Sequence, residues 1–414
     1  QEVRQPADRM LLGKRFLRKN VAGRKDMTAF DGCHQSREVD DIGTPLQRHG
    51  KTVYQYWEVS GNKMWITNGS VADRYSLYSQ GTDGDVGFML ERRSEGLRIG
   101  PNENKLGQRA SPTNELTLDR VRISADQVIG FRGHGQVNAL ETLSVGRGGL
   151  VMSCATLGER LLQDYAHLWR RNPALHEAAQ AELDRIQCLA ARLVGLMDRA
   201  DLQQGDFRIE AALSKYFASE GAHRILGWLE TLLGPQSAAR EVIIEKWRRD
   251  IRILNIYEGT NEVQRFLALK DLPNLLREPA QPVGDNPQLE SALQAFREFA
   301  APRAAALGAG LWQNPDLQTR WFPVVDWLAD LYSWCALHER VRLLTNNADP
   351  ADDALLRRLR AVEGSLSEHV ARRARWVRTS FTVGEEGRCY PADASLVLAR
   401  AALAPVAIAA AGPV

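Results

Sequence analysis

The sequence predicts an α+β protein: an antiparallel β-domain, then a four-helix bundle, then an additional C-terminal helical domain. Three observations point there. Over residues 28–135, short segments rich in aromatic and β-branched side chains are punctuated by Gly, Asn and Asp. From 136 to 278 apolar residues recur at helical spacing over long stretches. A Pro/Gly/Asn-rich run, "PAQPVGDNPQLE" (279–290), then leads into a further helical region, 291–414, rich in Arg, Ala and Leu. With 414 residues, 44% of them hydrophobic, the chain can bury a large core divided over two or three domains.

The elements follow in order. Residues 1–27 carry eight Lys/Arg against three acids and form a basic N-terminal arm. Such an arm suits an acidic partner, an anionic membrane surface, the tail of a processed targeting segment, or a solvated terminus. The β-domain opens with "TVYQYWEVSG" (52–61), which alternates; "SGNK" is expected to turn, and "MWITNG" (64–69) to form a short strand ending in a turn. "RYSLYSQ", "VGFMLERR" and "NELTLDRVRI" continue the pattern, which predicts a small barrel or sandwich. Helical spacing covers 136–170, 177–204, 207–233 and 237–254, and places Ile209, Leu213, Phe217, Ile225 and Leu229 on one stripe. Four long helices with short connections predict a bundle. After the linker, helices are expected over 287–345 and 351–379. In the second of these, "ARRARWVRTSF" (371–381) reads as a solvated basic face with one packed Trp, or as an interaction face.

Several function classes are excluded or weakened by composition. A net charge of +2 does not suit a nucleic-acid binder. The five cysteines lie far apart with no C-x-x-C pair, which argues for a reducing compartment and against a disulfide scaffold or a zinc site. The eight histidines show no metal-ligand spacing, and neither a Rossmann nor a Walker phosphate loop occurs. No apolar run is long enough to span a bilayer; the tail "ALAPVAIAAAG" (402–412) is interrupted by Pro405 and suits a docking segment or helix end.

Two β segments and one helical junction carry more. "GNKMWITNGSVADRY" (61–75) and "KLGQRASPTNELTLDRVRISADQVIG" (105–130) resemble the middle β-domain of acyl-CoA dehydrogenases. "GDFRIEAALSKYFASEGA" (205–222) and "RILNIYEGTNEVQR" (252–265) resemble that family's bundle helix and catalytic segment, in the same order. The helical region after residue 290 is similar to the added domain of the very-long-chain branch, which includes an assembly factor for respiratory complex I. The resemblance makes the fold acyl-CoA dehydrogenase-like and implies FAD as cofactor and an acyl-CoA as substrate. It assigns the catalytic base to Glu258 and a nearby arginine to Arg147. It places Trp65, Thr67, Thr260 and Glu262 at the flavin. The chemistry suits these types. Removing a weakly acidic proton α to a thioester asks for a carboxylate in a dry pocket, and Gly259 lets the chain turn beside a cofactor. No metal is implied.

Other positions depart from the family pattern. About forty residues precede the stretch that carries the resemblance, where the family has an N-terminal helical domain. The run that should hold the flavin with Thr and Ser reads "CHQSREVDD" (33–41), with His34 and Asp40 near those positions. A pyrophosphate turn is replaced by "RRNPALHEAAQ" (170–180), with Arg170 and Arg171 but no Phe-Gly. A glycine-rich loop reads "LLGPQSAARE" (232–241), where only Gly234 remains and Pro235 lacks an N–H. From these departures the sequence is expected to encode a catalytically degenerate homologue serving as a structural or assembly subunit of a larger complex, respiratory complex I being the one the branch suggests. In that reading "IYEGTNEVQR" is a packed remnant in which Tyr257, Val263 and Phe266 hold a helix junction. The alternative is an active FAD-dependent long-chain acyl-CoA dehydrogenase. Either reading implies a homodimer, or a heterodimer with a related dehydrogenase chain, and allows peripheral membrane association. The compartment is mitochondrial, at the matrix or the matrix side of the inner membrane, or else the bacterial cytoplasm.

Overall fold

The computed structural model describes residues 28–30, 39–40, 46–48, 51–53, 56–81, 84–130, 133–201, 207–277, 285–307, 315–347, 349–383 and 389–391. The basic arm 1–27, most of "CHQSREVDD" including His34, the first half of the linker (279–284) and the apolar tail lie outside the described residues. Contacts divide the described residues into two compact units. One draws on Gln1–Gly149, Val194–Arg208 and Gly234–Gly259; the other draws on Leu150–Leu193, Ile209–Leu233 and Thr260–Val414.

The β-domain lies in the first unit. One sheet has the order β1 (Thr28–Phe30), β6 (Arg74–Gly81), β7 (Gly84–Glu91), β10 (Val128–Ile129). The other has the order β2 (Val39–Asp40), β5 (Tyr56–Thr67), β9 (Thr113–Ser124), β8 (Leu97–Asn102). A separate two-stranded pair joins β3 (Leu46–Arg48) to β4 (Lys51–Val53). Among the described residues both four-stranded sheets are open and form no barrel; their inward residues meet in one core, from Val59, Ile66, Leu116 and Ile123 on one side to Tyr75, Leu77, Phe88 and Leu90 on the other. The pairings are antiparallel apart from β1, which runs parallel to β6.

"SGNK" does not turn. β5 runs straight through it, and the register slips between Val59 and Gly61 instead. Arg120 on β9 absorbs the slip at φ 50°, with its N–H on Ser60 Oγ at 3.0 Å. That bulge shifts the buried positions of β9 from Leu116 and Leu118 to Val121 and Ile123. Pro101 sits on β8, an edge strand where a missing N–H is tolerated.

The helices are α1 (Gly135–Asp164), α2 (Ala166–Trp169), α3 (Pro173–Asp201), α4 (Arg208–Leu233), α5 (Ile243–Ile251) and α6 (Asn261–Arg277). Of these, α3 and α4 fall close to expected bounds, whereas the expected 136–170 breaks into α1 and α2, the expected 237–254 keeps only α5, and α6 is not among the expected helices. In the second unit α1, α3 and α4 interlock at glycines. A Cβ on Gly158 would stand 3.0 Å from Leu183 and 3.3 Å from Ile225, and one on Gly221 would stand 2.8 Å from Ile186. α4 is buried on more than one face, so Ser214, Lys215 and Ser219 are as enclosed as Leu213, Phe217, Ile225 and Leu229 of the predicted stripe, while Ile209, its first member, is half-buried.

The C-terminal helices α7 (Pro287–Leu307), α8 (Pro315–Asn347) and α9 (Asp353–Ser380) belong to that same unit, followed by the hairpin β11 (Phe381–Val383) and β12 (Cys389–Pro391). Trp321, Trp327 and Trp334 on α8 are buried, with Phe296 and Phe299 packed on Trp327. The join to the bundle helices is polar. Asp184 takes two bonds from Arg358 at 2.8 and 2.9 Å. Asp330 accepts from Arg185 at 2.8 Å, from His369 at 3.2 Å and from Arg373. Asp326 accepts from Tyr216 and pairs with Arg265. In "ARRARWVRTSF", therefore, Arg373 turns inward while Arg372, Arg375 and Arg378 face solvent. Among the described residues no helix is long and apolar enough to cross a membrane.

Candidate active site

The predicted base sits where two left-handed residues reverse the chain. A 3₁₀ turn, Arg252–Asn255, follows α5, and Ile256 and Tyr257 both donate to the Ile253 carbonyl at 2.8 and 3.0 Å. Glu258 then takes φ 57° and Gly259 φ 88°. The glycine adopts this freely; for the glutamate it costs on the order of 1–2 kcal/mol, so the surroundings must enforce it. Arg147, on α1 and 2% exposed, donates from Nε to the Glu258 carbonyl at 3.1 Å. The preceding Gly146 opens the space for the acid: a Cβ there would stand 2.7 Å from Glu258 Oε2 and 3.2 Å from Oε1. The half-buried carboxylate thus lies against the α1 backbone, with its main chain pinned by the next residue of that helix. Such an acid can take a proton from a carbon brought to it.

The structure brings Glu258 and Arg147 together. Trp65 and Thr67 are in the same unit, at the end of β5. The register slips a second time between Lys63 and Ile66, and Trp65 takes φ 63° there. Trp65 is 57% exposed, so it is not a core aromatic, and Thr67 is exposed beside it. Their strand end is fixed from behind. Lys63 is buried with Nζ on the Tyr78 carbonyl at 2.7 Å. The buried Asn114 accepts from Ser70 N–H at 2.7 Å and donates to Gly100 O and Asn102 Oδ1. Gly69 must be small because a Cβ would come within 2.9 Å of Asn114.

Thr260 and Glu262 open the second unit's α6. Thr260 Oγ1 accepts from Val263 N–H at 3.3 Å, as a helix cap does, and Glu262 is exposed in the first turn. Val263 is 44% exposed, which removes it from the packed junction expected with Tyr257 and Phe266.

Among the departures, Arg170 and Arg171 are solvent-exposed after α2, and Asp40 lies in β2. Gly234 takes φ 63° at the start of a 3₁₀ turn, Gly234–Ala238, that includes Pro235.

The loop "KLGQRAS" is a docking loop. A Cβ on Gly107 would fall 2.1 Å from the Arg249 carbonyl, and Gln108 N–H bonds Asp250 Oδ1 at 2.6 Å. Burial pushes the Asp250 carboxyl up, but Lys246, the Gln108 N–H and Arg249 together hold it below the usual carboxylate range.

Reasoning from the sequence missed two features. Gly146 is one; its signal was a glycine inside a strong helical pattern. The other is a buried polar group on α4, where Lys215 Nζ donates to Asn261 Oδ1 at 2.8 Å. Its signal was a lysine amid an apolar stripe. Two pockets on the second unit, one of about 630 Å³ around His338 and Glu363 and one along Met152–Arg160, contain none of the predicted site residues. Among the described residues no group of three His, Cys, Asp or Glu could hold a metal.

Comparison with known proteins gives a family. Residues 39–121 match the description "Acyl-CoA dehydrogenase, middle domain", and residues 133–272 match "Acyl-CoA dehydrogenase, C-terminal domain". The mitochondrial very long-chain specific acyl-CoA dehydrogenase of Bos taurus is 32% identical over 285 residues, 62% of this chain and 43% of the relative. A Mycobacterium leprae protein named "Probable acyl-CoA dehydrogenase fadE25" is 30% identical over 252 residues, 57% of this chain and 64% of the relative. The chain therefore spans less than half the length of the cattle protein. In fold it is similar to a crystal structure of acyl-CoA dehydrogenase complexed with FAD from Bacillus anthracis, with TM-score 0.64 and 20% identity over 85% of this chain and 64% of that one. With two successive domains of one family matched in order, on sheets and helices of the same fold, the chain belongs to the acyl-CoA dehydrogenase family.

Proposed function

We propose that the chain works as a flavin-dependent acyl-CoA dehydrogenase, with Glu258 as the base that takes the proton from the carbon next to the thioester carbonyl. The observation that carries this reading is the enforced geometry of Glu258. Its left-handed backbone is held by buried Arg147, and its carboxylate is given room by Gly146. Strain of this kind persists where the surroundings over-determine it, and such places cluster at active sites. A relic would be free to relax to an unstrained turn.

The residues at the end of β5 fit the cofactor that the family's structures hold. An exposed indole face beside an exposed hydroxyl suits a flat, partly apolar ring with a hydrogen-bonding edge, as a flavin has. Trp65 and Thr67 would hold that ring; the family resemblance also assigns Thr260 and Glu262, at the start of α6, to the cofactor. FAD, when bound, supplies the acceptor for the hydride lost from the β-carbon. Glu258 supplies the proton acceptor, and the Arg147 contact keeps its backbone from swinging away. A mitochondrial or a bacterial setting suits this reading, supported by a relative named as mitochondrial and by one from Mycobacterium leprae.

A second reading, an assembly subunit with weakened catalysis, is favoured by one observation. Pro235 occupies the Gly234 turn and offers no N–H to a phosphate. One experiment separates the two. The purified chain is examined for visible flavin absorbance, then titrated anaerobically with a long-chain acyl-CoA. Bleaching of the flavin supports the dehydrogenase. Colourless protein that takes up no added FAD, and that co-isolates with subunits of a respiratory complex, supports the assembly role instead.

A further inference from the structure

Lys215 is wholly buried on α4, an uncommon place for an ammonium. Its Nζ donates to Asn261 Oδ1 at 2.8 Å. Asn261 is the first residue of α6 and is 3% exposed. Its Nδ2 donates to Ser219 Oγ at 3.1 Å and to Glu220 Oε1 at 2.7 Å. Ser219 sits one helical turn beyond Lys215, and its Oγ lies 3.1 Å from the Tyr216 carbonyl. Both ends of the Asn261 amide are therefore engaged by a single helix, which fixes the side chain's orientation and its height along α4. The nearby Cys154 thiol does not compete as an anion for Lys215. Burial pushes it up to about 12, against the pull of the Lys215 charge, and it stays neutral.

Asn261 stands three residues after Glu258, with only Gly259 and Thr260 between. Arg147 holds the near side of the reversal at the Glu258 carbonyl. Something must hold the far side, or the left-handed pair could unwind into the start of α6. We infer that Lys215 is a positioning residue for the base, acting through Asn261 to anchor the exit of the turn that carries Glu258. The inference rests on Glu258 being the base, as proposed above. A buried charge on the amide oxygen is stronger and more directional than a neutral donor would be, which accounts for a lysine where an apolar stripe would otherwise continue.

The test uses the full chain and the variant K215M, which keeps the length of the side chain and removes the donor. Hydrogen exchange is followed over residues 256–264. The expected result is exchange at least tenfold faster there, with peptides from 222–233 unchanged; unchanged exchange over 256–264 overturns the inference. In protein that bleaches with acyl-CoA, the reduction rate at saturating substrate should fall about a hundredfold, while acyl-CoA affinity stays within about twofold. The double variant K215M/N261L should be no slower than N261L alone, because the lysine acts through that amide; additive losses overturn the route through Asn261. If K215M does not fold, N261S is read in the same two assays. If the parent chain shows no flavin reduction, the dehydrogenase reading fails, and the exchange arm still decides whether Lys215 anchors the turn.

Discussion

At the scale of single residues, the turn at Glu258 concentrates the testable chemistry. Glu258→Gln keeps the size and the left-handed backbone but removes the base, so flavin reduction by acyl-CoA should slow by about 10²–10⁴-fold with little change in melting temperature. Gly146→Ala approaches the same group from the other side. Its Cβ would stand 2.7 Å from Glu258 Oε2, so the carboxylate must swing away. A displacement near 1 Å is expected to slow the same reaction by about a hundredfold, measured by stopped-flow, again without a large loss of stability. Glu258 was singled out in "IYEGTNE" by the family resemblance alone, since an acid before a glycine otherwise reads as a helix-end carboxylate. Its two supports were not. A glycine inside a helix and a lysine within an apolar stripe are ambiguous until the fold shows which side chain each one faces. Trp65 was placed at the flavin by the resemblance alone; its strand pattern by itself would suggest a core position, and its indole is exposed.

At the scale of elements, the sequence showed periods well and joins poorly. Of the expected helices, α3 and α4 lie close to their bounds, whereas α1 ends at Asp164 rather than 170 and α5 covers only Ile243–Ile251 of the expected 237–254. The β-domain was harder. "SGNK" has turn composition, yet β5 passes through it, since a bulge uses the same glycine that a turn would. The parallel pairing of β1 with β6 depends on contacts between distant parts of the chain that no local pattern encodes. The loop "KLGQRAS" gives the prediction for this scale. Gly107→Ala places a Cβ 2.1 Å from the Arg249 carbonyl, a backbone atom with little freedom. It should cost about 1–3 kcal/mol, seen as a lower urea midpoint with an unchanged slope.

At the scale of the whole molecule, the buried charges of the second unit set how it responds to pH. Burial pushes the Asp330 carboxyl up, but Arg373, His369 and Arg185 outweigh it and hold the group well below the usual carboxylate range. A carboxyl depressed in the folded state contributes stability that is present above its unfolded value, near 3.9, and is lost as pH falls through the folded one. The melting temperature should therefore drop below about pH 4. Asp330→Asn should flatten that part of the profile, and at neutral pH it should cost about 3–5 kcal/mol by leaving Arg185 and Arg373 without their shared carboxylate. The sequence divided the chain at the Pro-rich run 279–290, and composition does change there. The ion pairs do not respect that division, because Arg185 of α3 and Arg265 of α6 both close on carboxylates of α8. Anyone wishing to shorten the gene should expect the linker to be a poor place to cut. A chain ended at residue 278 would uncover two guanidinium groups shaped to be enclosed. Making it behave as an independent protein would mean redesigning that face, beginning with apolar or neutral replacements at Arg185 and Arg265.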